Sequence, residues 1–208
     1  MTFTTWLSVA TICLMGAMSP GPSLAVVVRR TVRNSRTHGL ATALAHAAGV
    51  GCYALLTTLG LAVVVADNEI VYRGLAFAGA AYLLLLGVRA LRASGGVRLD
   101  AGDASAATLA RAARDGFLIA FLNPKIAVFF LALFSQFVRP GMPLGEHVLL
   151  SLTATVIDGG WYAFVALALS RSAILEWLRR RAHWIDRLTG VLLVALAGVT
   201  VWRLLVSR

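Results

Sequence analysis

The four residues Ser19-Pro20-Gly21-Pro22 interrupt a run from Phe3 to Val28 that carries no charge and is long enough to cross a bilayer. Two prolines and a glycine in so short a space are a poor choice for a helix whose only task is to anchor. Pro20 and Pro22 each lack a backbone N–H and crowd the carbonyl four residues back, at Gly16 and Met18. At membrane depth, freed backbone groups are tolerated only where protein or a water-filled cavity satisfies them. The break therefore predicts a polar cavity, and the rest of the chain is read as its walls.

The chain has 208 residues, 59% hydrophobic and 13% charged, against about 25% charged in soluble domains. This is the composition of an all-α, polytopic membrane protein with the lipid bilayer as its surroundings. The formal net charge of +10 does not imply nucleic acid as a partner. The basic residues lie in short segments flanking apolar runs, where they set orientation. The opening run has no basic leader before it and exceeds a signal core, so it reads as a helix that stays in the membrane. Cys13 and Cys52 occupy separate apolar segments without C-x-x-C spacing and read as packing residues. No Walker A sequence, metal-ligand spacing or nucleophile–base pair is present, so neither an enzyme, a cofactor nor a metal site is expected.

Six apolar segments follow in order: Phe3 to Val28, Leu40 to Ala66, Ile70 to Leu91, Gly116 to Val138, His147 to Ser170 and Ile185 to Val206. Each has about 22 residues or more, and about 20 suffice to span a hydrocarbon core. The polar stretch from Arg92 to Asp115 reads as a hinge. Loops one–two, three–four and five–six carry fourteen arginines, among them Arg29, Arg30, Arg33, Arg92, Arg114, Arg179, Arg180 and Arg181. The opposite side carries four, Arg73, Arg139, Arg203 and Arg208. This asymmetry places the three basic loops in the cytoplasm and both termini on the periplasmic side. Pro20 and Pro124 each fall in the first helix of a three-helix half, residues 1–98 and 106–208. An odd number of helices per half makes the second copy inverted. Inverted repeats with broken helices at matching places are a transporter signature, and the breaks mark its binding site.

Lys125 is the costliest residue in the chain. It follows Asn123-Pro124 well inside span four, where a charge costs about 2.5–3.5 kcal/mol to insert. Asp158, in span five ahead of Gly159 and Gly160, reads as the one acid deep in a span. Intramembrane carboxylates serve as proton relays; the alternative reading is a permanent ion pair with Lys125. His46, in span two, reads most simply as a neutral histidine hydrogen-bonded to another helix, and Tyr162 as packing with a usable hydroxyl. A helix broken at proline presents N–H groups and a positive dipole end at the start of its second half. Ser19, Pro20, Gly21 and Pro22 at one break, with Asn123, Pro124 and Lys125 at the other, would then hold a carboxylate. Asp158 would face an ammonium group or carry a coupling proton. A small zwitterion is the substrate this chemistry fits.

These residues resemble the LysE/RhtB family of bacterial amino-acid exporters. The resemblance is carried by Ser19-Pro20-Gly21-Pro22, Gly79-Ala80-Ala81-Tyr82-Leu83 with Gly87, Asn123-Pro124-Lys125-Ile126 and Asp158, and it spans essentially the whole chain. It implies a multi-pass protein of the bacterial inner membrane that exports an amino acid or close derivative by proton- or potential-driven antiport, and it is compatible with homo-oligomers. Ser23, where the family often has Asn, and His46, in a stretch usually glycine-rich, depart from the pattern. Two other functions share the six-helix architecture. A membrane thiol–electron carrier needs Cys13 and Cys52 to meet, and a cation exporter needs several buried acids or histidines.

Overall fold

The computed structural model of the chain describes residues 1–19, 21–67, 69–92, 108–139, 141–168 and 172–206. Within them are eight helices: α1 (Phe3–Met18), α2 (Pro22–Arg33), α3 (Arg36–Asp67), α4 (Glu69–Arg92), α5 (Leu109–Phe121), α6 (Pro124–Phe134), α7 (Leu144–Ala168) and α8 (Ser172–Val206). Pro20, most of the segment read as a hinge, and the boundaries of the two halves at 98 and 106 lie outside the described residues.

Both proline motifs break their helices. Helix α1 ends at Ser19, which turns to an extended backbone, and α2 restarts with Pro22 in its first turn and Gly21 as its cap. The missing N–H of a first-turn proline is one that has no helical acceptor anyway. Leu122 and Asn123 separate α5 from α6 in the same manner, with Pro124 in the first turn. The two pairs bend by 58° and 52°.

Helices α3, α7 and the Asp186–Val206 part of α8 are long and apolar enough to cross a membrane, and each bent pair passes as one further span, which makes five. Helix α4, with 24 residues, is the other long helix. The helices overrun the apolar segments: Arg29, Arg30 and Arg33 belong to α2, and Arg180 and Arg181 lie inside α8, not in a loop. A helix satisfies its own backbone whether lipid or water surrounds it, so it need not stop where apolar residues do.

Helix α3 packs against α7 and α5, and α4 packs against α8. Helices α3 and α7 run antiparallel: Gly39 meets Ala166, Ala47 meets Gly159, and Gly51 meets Thr155. Helices α4 and α8 are also antiparallel, since Arg73 donates to the carbonyl of Leu204 while Gly87 abuts Gly190 and Val194. Helix α5 runs parallel to α3, and α1 parallel to α7, where the Trp6 indole donates to Thr153 at 2.9 Å. Large apolar side chains such as Leu44, Leu56, Leu152, Val156, Leu188 and Val191 point outward, whereas Thr42, His46, Thr58, Asp158, Asp186 and Thr200 are buried. Exposed leucine around a polar interior is the pattern of a protein solvated by lipid.

Candidate functional site

The two helix breaks face one cavity. It has a volume of about 810 Å³ and is lined by Ser19, Gly21, Pro22 and Ser23 from the first break and by Asn123, Lys125 and Ile126 from the second. His46 on α3, Asp158 and Tyr162 on α7, Tyr82 and Arg89 on α4, and Asp186 and Thr189 on α8 complete its polar wall. Of the residues expected to form a site, only Pro20 lies outside the described residues, and Pro124 is placed as the opening residue of α6.

The breaks differ in what they offer. At the second, the Asn123 side chain accepts from the Lys125 N–H at 3.0 Å and so caps α6 internally. At the first, no side chain caps α2. Helix α2 therefore begins at the cavity with first-turn N–H groups uncapped, the arrangement that favours an anion. The two ends are therefore not equivalent: at the second, one of the first-turn N–H groups is already taken, and Lys125 stands there. The Lys125 side chain is exposed at the cavity, and among the described residues no carboxylate comes within 4.0 Å of its ammonium.

Asp158 is engaged elsewhere. Its Oδ2 lies 2.7 Å from Nδ1 of His46, and both residues are buried. The partner of Asp158 is thus the histidine and not Lys125. An Nδ1–H donating to the carboxylate accounts for the bond, which leaves Nε2 buried with no partner. The Tyr162 ring stands edge-on to the imidazole at 4.9 Å, and its hydroxyl interacts with Ser23 at the start of α2. A continuous polar path thereby links the first break to α7 and α3.

Asp186 is the site residue that the reading of the sequence missed. Placed at the very start of the sixth apolar segment, between arginines at 179–181 and at 187, it was not read as an acid within a span, yet it is 3% exposed and faces the cavity. The signal was present in the spacing. Asp186, Thr189, Leu193, Ala197, Thr200 and Leu204 recur at three- and four-residue intervals and form the buried stripe of α8.

Phe130, on the cavity wall, also belongs to an apolar cluster that includes Val9, Ile12, Leu133 and Phe134, with the Phe130 and Phe134 rings stacked at 5.2 Å. The two cysteines are free, Cys13 buried in the cavity wall and Cys52 exposed. Among the described residues, no group of three His, Cys, Asp or Glu side chains forms a metal-ligand set.

Comparison with known proteins bears on this arrangement. The family described as LysE type translocator matches residues 14–203. The homoserine/homoserine lactone efflux protein of Salmonella typhi is 32% identical over 163 residues, covering 76% of this chain and 77% of its own. The threonine efflux protein of Escherichia coli strain K12 is 29% identical over 194 residues, covering 90% and 92%. The uncharacterized membrane protein YrhP of Bacillus subtilis is 25% identical over 194 residues, covering 88% and 91%. No solved structure matches.

Proposed function

The chain belongs to the LysE type translocator family, and on that premise we propose that it exports a small amino acid or a close derivative across the bacterial inner membrane. The observation that carries this reading is the convergence of both helix breaks and Lys125 on one cavity. The uncapped start of α2 and the Lys125 ammonium hold the substrate carboxylate, with Ser19, Gly21, Pro22 and Asn123 shaping the pocket. The relatives named for efflux of homoserine, its lactone and threonine support a small amino acid or close derivative as the substrate class.

Transport is driven by the proton gradient or membrane potential. The His46–Asp158 pair is the proton-carrying element: a buried carboxylate whose donor is itself titratable, at the cavity wall, is the kind of relay that carriers use. The chain crosses the membrane six times as two inverted halves, with both termini periplasmic. The helix pairing supports this, since α3 lies against its counterpart α7, α4 against α8, and α5 beside α3 as α1 is beside α7. An axis in the membrane plane would produce that exchange.

Everted membrane vesicles with an imposed proton gradient test the reading. They are expected to accumulate L-homoserine or L-threonine, and Lys125→Ala is expected to abolish accumulation while the protein stays in the membrane. Unchanged uptake by Lys125→Ala would remove the lysine from the site.

A further inference from the structure

We propose that Asp186, on α8, receives the α-ammonium group of the transported amino acid, so that the zwitterionic head spans from Lys125 on α6 to Asp186. This rests on the exporter reading and adds to it the residue that distinguishes an amino acid from a plain carboxylic acid.

Three observations carry it. First, the cavity holds two carboxylates, and Asp158 already accepts from His46 at 2.7 Å. Second, Asp186 is buried against the cavity, and no described residue donates a hydrogen bond to it or pairs with it within 4.0 Å. A buried carboxylate without donors is costly unless a cation completes it. Third, Lys125 and Asp186 line the same cavity without pairing within 4.0 Å. A cation and an anion that face the same space but stay apart are complementary to a ligand carrying both charges close together. Arg89, also on the wall, lies on α4, the helix paired with α8.

A consequence follows for specificity. The ammonium contact is made from the α4–α8 pair, whereas the carboxylate contacts come from α2 and α6. An amino acid bound in this way ties α8 to α2 and α6, and an analogue without nitrogen does not.

The test is equilibrium binding to the purified full chain. The probes are L-homoserine and L-threonine, and beside them 4-hydroxybutanoate and 3-hydroxybutanoate, which lack only the amino group. Asp186→Asn is expected to weaken amino-acid binding by roughly tenfold or more, the factor set by a lost charge-assisted contact. Binding of the nitrogen-free acids, weak from the start, is expected to stay the same, which also reports that the variant is folded. Asp186→Glu should recover most of the loss, and Leu188→Ala, on the lipid face of the same helix, should have no effect. Amino-acid binding by Asp186→Asn equal to that of the unmodified protein overturns the inference alone, as does an equal loss for both classes of probe. If the unmodified protein binds neither amino acid, the exporter reading falls and the inference falls with it.

Discussion

His46 on α3 and Asp158 on α7 are joined by a hydrogen bond of 2.7 Å, buried between two antiparallel helices at the wall of the cavity. Their separation of 112 positions makes this bond a tie between the two halves of the chain. It also places an exchangeable proton where the proposed substrate and the bundle core meet.

Removing one partner of a buried pair costs about 3–5 kcal/mol, because the other is left without compensation. His46→Ala is therefore expected to lower resistance to denaturant in detergent by about 3 kcal/mol. The double substitution His46→Gln/Asp158→Asn keeps a neutral hydrogen bond and should restore most of that stability. It should not restore proton-driven uptake, since neither amide titrates. Full uptake by the double variant would separate coupling from this pair.

Among the described glycines, Gly116 lies closest to the backbone of another helix. A Cβ built there would lie 2.2 Å from the carbonyl oxygen of Thr42, a backbone atom that has no rotamer to escape into. The same Thr42 donates its hydroxyl to Ala112 at 3.1 Å, so α3 and α5 are fixed face to face. Gly116→Ala is expected to cost about 1–3 kcal/mol or more by overpacking. Gly60→Ala, where a Cβ meets nothing within 4 Å, should be neutral. Detergent melting curves of the two variants decide it, and equal curves would contradict the packing.

The breaks and the embedded lysine were legible because they violate local rules. Prolines inside an apolar run and a charge beyond snorkelling reach demand a cavity whatever the tertiary fold. The partner of Asp158 was not legible, because which helix lies beside α7 is decided by long-range packing. The sequence pointed to Lys125 as its pair and to an unnamed partner for His46, and the approach of Ala47 to Gly159 brings the histidine in. Asp186 was hidden by its place at the start of the sixth apolar segment, where an acid reads as interfacial, although the helix begins well before it, at Ser172. The inequality of the two breaks was equally out of reach, because the Asn123 cap on α6 depends on side-chain orientation and not on residue type.

Arg30 on α2 and Asp115 on α5 form an ion pair between the second half of one broken helix and the first half of the other, and the arginine also donates to Asn34 at 3.3 Å. The pair is partly exposed, with side chains 11% and 31% accessible, so its worth lies between the surface and buried limits. Asp115→Ala is expected to cost about 1–2 kcal/mol, and the exchange Arg30→Asp/Asp115→Arg to recover at least half of it. Recovery would mark a charge pair. Failure to recover would mark the arginine stem and its Asn34 contact as the structural element.

Orientation can be tested independently of transport. Arg30 of α2 and Asp115 of α5 meet at one end of the bundle, and Arg139, paired with Glu146 at 3.3 Å, lies at the other, where the N-terminal ammonium also meets Glu146. The arginine excess, if cytoplasmic, predicts that α1 starts and α8 finishes on the periplasmic side. Alkaline phosphatase fused after Arg208 should then be active, because it matures only outside the cytoplasm, and green fluorescent protein at the same point should stay dark. Reporters inserted at residues 93–107 should give the reverse. A fluorescent C-terminal fusion would mean an odd number of crossings if the N-terminus is periplasmic. That outcome would contradict the joint crossing of α4 and α8, which their antiparallel packing supports.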